Sequence, residues 1–487
     1  MTTLIPQFDL MNGGTTPTGA VNRPINQKLA ESVSVLDFGA VGDGVTDDTV
    51  AIQAAVTAAA GKSLYIPAGT YLISAVINVS SNTYIYGDPN NTTLKIYPQA
   101  YTANGPRLVT CANKSNITYL NIVFDGNAGN VGTLIQPVTQ VFNSTNVSYK
   151  NCTFQNCEGI AINASTSTND ISVLNCIFNR CGGLSDNSLG YRKQAIAFTN
   201  SSTNRTINIK IINCSFKYIG LDAISLQNCD NVNITSNLIS NSYVFVFNVH
   251  SGSFYSSNVN ITDNIITNIS QGTYASSSPP GGLDLGGIVG GVISNNTFNT
   301  IDTSAIGIFS GSSNIVIGNN VIINPFNYTN STLSFTGAIS FGAISSTLSN
   351  IKNIVVTNNV IIDTRTTPLM PFGFVLETDA TNLFVSGNTI LNAVRGHFGY
   401  YVYPDGPSPS STSVLTSNTP LTSSVVMVDL DNQNSKTTNY RNFNTLTSYS
   451  VNGTQVVTSQ QPAIANGSDS TVNSILGALR THGLIAT

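Results

Sequence analysis

The 487-residue chain has no tryptophan, three histidines and four methionines, and only 9% of its residues are charged. Soluble domains ordinarily carry about 25% charged residues, so each carboxylate here is rare enough to be a candidate for chemistry. Nineteen Lys and Arg stand against 23 Asp and Glu, with no basic run. That balance excludes the electrostatic footprint of a nucleic-acid partner. No apolar stretch approaches the ~18 residues of a membrane span, so no membrane partner is expected. Disorder is excluded too, because 41% of the residues are hydrophobic and the net charge is only -4. The opening Met1-Thr2-Thr3-Leu4-Ile5-Pro6 has no charged segment leading into an apolar one, so no secretion signal is expected. In place of charge, the chain carries 61 asparagines.

Those asparagines are not scattered. A nine-residue phrase recurs: Asn, aliphatic, any, aliphatic, any, any, Asn or Cys, any, then Phe or Ile. Copies begin at Asn116, Asn146, Asp170, Asn208, Asn231, Asn258, Gly290, Asn314, Asn353 and Asn382. The starts lie 23 to 39 residues apart. A fixed strand phrase separated by loops of varying length is the mark of a solenoid. Alternating aliphatics put one face inward and one outward, which is strand spacing. A second strand follows each phrase, as in Ala195-Ile196-Ala197-Phe198, Ala223-Ile224-Ser225-Leu226 and Ala305-Ile306-Gly307-Ile308. Crossovers between parallel strands are right-handed. The expected fold is therefore all-β, a right-handed single-stranded parallel β-helix, with stacked Asn at the coil turns satisfying backbone groups. Cys152, Cys176 and Cys214 share one register of the phrase, and Cys157 and Cys181 another. Free thiols stacked in the core are expected. No Cys-x-x-Cys or His pairing suggests a metal, and no cofactor is called for.

Both ends of such a coil need covering. Val35-Leu36-Asp37-Phe38-Gly39-Ala40 leads to Thr46-Asp47-Asp48, which cap a predicted helix running to about Ala60. Its Ile52, Ala55, Val56 and Ala59 form one apolar stripe suited to plugging the first coil. Strand, turn and strand follow in Ser63-Leu64-Tyr65-Ile66-Pro67-Ala68-Gly69-Thr70-Tyr71. These segments resemble the opening of the pectate-lyase-like β-helix superfamily. The preceding Thr18-Gly19-Ala20-Val21-Asn22-Arg23-Pro24 is similar to the short N-terminal segment of bacteriophage tailspike proteins. The resemblance implies a homotrimeric virion protein that binds, and often cleaves, a bacterial surface polysaccharide. It also implies that residues 1–33 attach to the phage tail or baseplate and that the protein acts at the bacterial cell surface.

On this reading residues 34–403 form the β-helix with its cap and groove. The Pro/Gly/Ser stretch Tyr403-Pro404-Asp405-Gly406-Pro407-Ser408-Pro409 marks a boundary. Residues 410–487 then form a β-rich region expected to trimerise. It contains a strand over 424–430, a hairpin turning at Asn452-Gly453 and a helix from about Ser470.

Aligning the coils on the last residue of each phrase exposes a functional face. Glu158 and Asp302 lie four positions beyond it, and Asp222 lies six beyond Phe216. Insertions at 182–194, 271–284 and 326–337 enter at this same turn. Loops stacked on one edge of a solenoid wall a shared groove. Asp222, Asp284, Glu158 and Asp302 are the candidate catalytic carboxylates. Asp222 ranks first, since nothing in the repeat requires a charge in Gly220-Leu221-Asp222-Ala223-Ile224. At ~4.8 Å per coil, Asp222 and Asp284 stand about 10 Å apart before their side chains lean. Inverting glycosidases hold their carboxyls about 6.5–9.5 Å apart. Asp284 and Asp302, one coil apart, approach the ~5 Å of a retaining pair. Tyr191, Arg192, Lys193, Tyr218, Tyr243, His250 and Tyr274 are the candidate substrate-binding residues, the tyrosines serving as sugar platforms in a chain without Trp.

Three functions stay open at this level. Hydrolysis by a carboxylate pair leads. A spike that binds its receptor without cutting is the alternative. A polysaccharide lyase, supported by Arg180, Arg192, Lys193 and Lys217 near the groove, is the third.

Overall fold

The computed structural model describes residues 7–8, 23–29, 31–98, 107–129, 136–183, 193–248, 255–269, 281–309, 311–327, 337–342, 351–376, 380–394 and 396–400. Short strands at 414–415, 427–429, 449–451 and 454–457 complete it. Each coil contributes one strand to each of three parallel sheets. The first sheet has 14 strands, from Ser32–Ser34 to Val414–Leu415. The second has 13, from Asp43–Asp47 to Thr389–Leu391. The third also has 13, from Ile77–Asn78 to Met427–Asp429. Successive coils pair in order, so the fold is the expected right-handed parallel β-helix. No helix among the described residues is long and apolar enough to cross a membrane.

The phrase explains itself in the geometry. Its first strand lies in the first sheet and its last residues in the second; the third sheet carries the Ala-Ile strands. The opening Asn and the Asn at phrase position six sit at left-handed backbone angles, with φ of 56° at Asn146 and 52° at Asn151. Asparagine tolerates that region better than other non-glycine residues. Along the surface their amides form ladders, as from Asn116 Nδ2 to Asn82 Oδ1 at 2.7 Å and from Asn146 Nδ2 to Asn116 Oδ1 at 2.9 Å.

Inside, the seventh phrase position forms a buried column. Ile122 occupies it in the first copy, then Cys152, Cys176 and Cys214, then Asn237, Asn264, Asn296, Asn320, Asn359 and Asn388. Each of these six asparagines accepts from the backbone N–H of the preceding column member, from Cys214 to Asn237 at 2.9 Å onward. Each Nδ2 donates to a backbone carbonyl such as Ile261 O, at 2.8 Å from Asn296. The turn's orphan backbone groups are thereby satisfied without water. All seven cysteines are free and buried, and Cys157 pairs in register with Cys181. Phe124, Phe154, Phe178 and Phe216 stack with ring centroids 4.8, 5.0 and 4.7 Å apart, the spacing of the coils themselves.

The capping helix runs Thr49–Ala58. It buries Ile52, Ala55 and Val56 against the first coil as the stripe predicted. Its start differs from the expectation, because Asp48 makes no side-chain cap bond. Asp48 is buried and instead accepts from Val41 N at 2.6 Å and Gly42 N at 3.1 Å, closing the preceding loop. Asp47 takes the capping role, accepting from Thr49 N at 3.0 Å.

Past residue 403, where the phrase ends, Val414–Leu415 and Met427–Asp429 still add to the first and third sheets. Tyr449–Val451 and Thr454–Val457 pair antiparallel across Asn452-Gly453. Most of residues 1–33 and 410–487, including the helix expected from Ser470, lies outside the described residues.

Candidate functional site

The third sheet positions the carboxylates. Asp222 opens the strand Asp222–Leu226, Asp284 is second in Leu283–Gly286, and Val244–Asn248 runs between them. The two acids are therefore two coils apart, as the repeat count predicted. Asp222 is only 4% exposed. Its position depends on Gly220, where an added Cβ would collide with the Gly182 carbonyl of the preceding coil. The bare turn presses against that coil, with Gly220 N donating to Cys181 O at 2.9 Å. Ala195 N then donates to Asp222 O at 3.0 Å, holding the strand's first residue.

Register carries Asp284 onto the outer face. Leu283 and Leu285 on either side of it are core residues. Its partners across the sheet are Phe247 and Gly307, and beyond them stand Ser225 and Ser340. Asp284 is thus carried by the outer face of the third sheet, not by the turn edge where the sequence placed it. At Gly307 an added Cβ would lie 3.2 Å from Asp284 Oδ1 and 2.9 Å from the Phe309 ring. Glycine there gives both groups their room.

Electrostatics separate this pair from ordinary surface acids. Burial pushes the Asp222 carboxyl up to about 7; a hydrogen bond from Gln194 Nε2, 3.4 Å from Oδ2, opposes the rise and the Asp284 charge adds to it. Burial alone pushes Asp284 up to about 6. Desolvation disfavours the charged form of a carboxyl, and a like charge nearby disfavours it further. Two acids that protonate near neutrality within each other's field are equipped for proton transfer.

The other candidates divide. Glu158 is half-buried and Asp302 buried, both on turns leading from the second sheet to the third. Asp302 N donates to Ile269 O at 2.9 Å. Tyr218 is exposed on the same edge, its ring 4.9 Å from Lys217 Nζ, and Tyr243 N donates to Leu221 O at 3.1 Å beside Asp222. Lys193 N donates to Gly182 O at 2.8 Å, one residue from Gln194. Tyr191, Arg192, His250 and Tyr274 lie outside the described residues. No group of three His, Cys, Asp or Glu that would hold a metal occurs among the described residues. Sequence reasoning missed Gln194, Phe247, Gly307 and Phe309. Extending the Ala-Ile-Ser register through Val246-Phe247 and Leu283-Asp284 would have found the last three.

With the geometry in place, likeness to known proteins becomes informative. Residues 32–105 match the family described as rhamnogalacturonase A/epimerase, pectate lyase-like. The mannuronan C5-epimerase AlgE3 of Azotobacter vinelandii is 37% identical over 111 residues, 20% of this chain and 6% of that protein. The plasmin and fibronectin-binding protein A of Streptococcus pneumoniae is 32% identical over 168 residues, 28% of this chain and 23% of that protein. These matches thus span less than a quarter of either relative's length. Among solved structures, the Streptococcus pneumoniae surface adhesin PfbA superposes with a TM-score of 0.61 at 21% identity, covering 78% of this chain and 94% of that one. An exopolygalacturonase from Thermotoga maritima gives 0.51 at 15% identity, covering 74% and 91%. The Dettilon tailspike protein gives 0.52 at 16% identity, covering 78% and 70%. At these identities the structural likenesses establish the parallel β-helix fold.

Proposed function

We propose that this chain is a phage tailspike depolymerase that hydrolyses glycosidic bonds in a bacterial surface polysaccharide. The observation that carries the reading is the Asp222–Asp284 pair: two desolvated carboxyls on the third sheet, two coils apart and offset by three residues along the strand, the charge of Asp284 adding to the rise that burial gives Asp222. Sugar polymers recur in the names of the proteins that resemble it, an epimerase of mannuronan and an exopolygalacturonase, and a tailspike shares the fold. In this reading Asp222, with the higher pKa, stays protonated and delivers its proton to the leaving glycosidic oxygen. Asp284 takes a proton from the water that attacks the anomeric carbon from the opposite face. Two coils and a three-residue offset set the two backbones about 14 Å apart; Asp284 Oδ1, turned back toward Gly281 at the strand's start, narrows that gap toward the water-sized separation of an inverting pair. Glu158 and Asp302 are the alternates on the groove's edge. Homotrimer formation, and attachment to the virion through residues 1–33, belong to the same proposal.

The likeness to an adhesin favours a second reading, in which the groove binds without cutting. Incubation with purified host polysaccharide separates the readings. Shorter chains with new reducing ends, and loss of cleavage but not of binding in Asp222→Asn, are the expected results. Bound but uncut polymer would leave the adhesin. Cleavage with new absorbance near ~235 nm would mean elimination instead, and would turn attention to Lys193 and Lys217.

A further inference from the structure

The outward line of residues through Asp284 runs along the solenoid axis: Gln140, Asn163, Ala197, Ser225, Phe247, Asp284, Gly307 and Ser340, one from each coil in register. Gln140, Ala197, Ser225, Gly307 and Ser340 are buried, and most of the line is small or polar. Phe247 is neither, yet it stands half-buried on that face directly between Ser225 and Asp284. Alternation puts Val246 in the core and Phe247 outside. A second ring, Phe309, also faces outward, and it leans back over the bare Gly307 toward Asp284 Oδ1. Two apolar rings therefore bracket one carboxylate, from the coil before it and the coil after it, about 10 Å apart along the axis. Neither ring belongs to the core, and both keep partial exposure.

We propose that Phe247 and Phe309 are the sugar-stacking platforms of this groove, taking a glycan that lies parallel to the solenoid axis and is uncharged where it passes Asp284. The inference rests on the hydrolase reading and names its substrate class. Aromatic faces suit the apolar C–H face of a pyranose ring, since they bury nonpolar area and present a negative quadrupole to polarised C–H groups. The same line contains no Lys or Arg from Gln140 to Ser340. A uronate carboxylate at Asp284 would meet like charge and apolar rings, with no Lys or Arg on this line of described residues to offset them, which disfavours it.

The test uses the full chain carrying Asp222→Asn, so that polymer is not consumed. Binding is measured on an array of purified bacterial capsular and O-antigen polysaccharides, neutral and acidic. Retention of neutral-backbone glycans is expected, and Phe247→Ala and Phe309→Ala should each weaken it about tenfold or more, with Phe309→Tyr restoring it. Thermal unfolding of each variant checks that the coil is intact. Unaltered binding by both alanine variants, retention confined to polyuronates, or no retention at all would overturn the platform proposal. A glycan held through the two rings but left uncut by wild type would overturn hydrolysis and leave the platforms standing. Cleavage by wild type that neither substitution affects would do the reverse.

Discussion

Asp222→Asn is expected to make the protein more stable than wild type at pH 8 and no different near pH 4. In the unfolded chain this carboxyl ionises at its ordinary value near 3.8; in the fold it does so at about 7, raised first by burial and further by Asp284, against a smaller opposing effect of Gln194. Between those values the folded state holds a proton that the unfolded state has released. Stability therefore falls as pH rises through this window, and the loss is complete above pH 7. Roughly three pKa units at about 1.4 kcal/mol each amount to roughly 4 kcal/mol. Asp284, pushed up to about 6, adds its own loss over an overlapping range. Because part of the Asp222 shift is the Asp284 charge, the two do not sum. Asn keeps an acceptor for Gln194 Nε2 and removes the charge, so a gain of about 2–4 kcal/mol at pH 8 is expected. Urea unfolding at pH 4, 6 and 8, followed by far-ultraviolet circular dichroism, reads the difference directly. Parallel pH profiles for the two proteins, or a variant that is less stable at pH 8, would refute the claim that this fold buries a carboxylate at a cost to itself.

Other consequences are simpler to check. Hydrolysis should show a bell-shaped pH dependence with limbs near 6 and 7, the base lost below and the acid above; a profile flat from pH 5 to 9 would exclude this pair. Gly307→Ala should fold but lose most of kcat, since its Cβ would intrude 3.2 Å from Asp284 Oδ1 and 2.9 Å from the Phe309 ring; unaltered turnover would show that the space is idle. Asn296→Ala removes bonds from Asn264 N and Nδ2 and to Ile261 O and Asn320 Oδ1. Orphaning those buried groups should cost about 3 kcal/mol or more in urea unfolding, against under about 1 for exposed Asn231→Gly, which keeps the left-handed backbone. Native protein should show no thiol reactive to Ellman's reagent and seven after denaturation, because all the cysteines are buried and burial pushes Cys111 and Cys229 up to about 12.

Much of this architecture was legible before any coordinates. The nine-residue phrase names its own geometry: asparagines at left-handed turns, aliphatics facing in, and a buried Asn or Cys wherever successive coils needed an amide or thiol column. Coil counting then placed Asp222 and Asp284 two coils apart, which the strand order bears out. Those inferences hold because a solenoid repeats one local solution, and neighbours along its axis are neighbours in the alignment of the chain with itself.

What the repeat could not supply is everything that depends on the side of the sheet and the depth of a side chain. Alternation had to be followed strand by strand before Asp284 fell on the same outward line as Phe247 and Gly307. Asp48, read as part of a helix cap, turned inward to two loop amides instead. The raised pKa values of the two acids exist only once coils on either side have removed their water and, for Asp222, brought the Asp284 charge within range. Periodicity is a property of the chain, and by itself it determined the solenoid. Desolvation and proximity are properties of packed coils, and only packing could raise the Asp222 and Asp284 carboxyls toward neutrality.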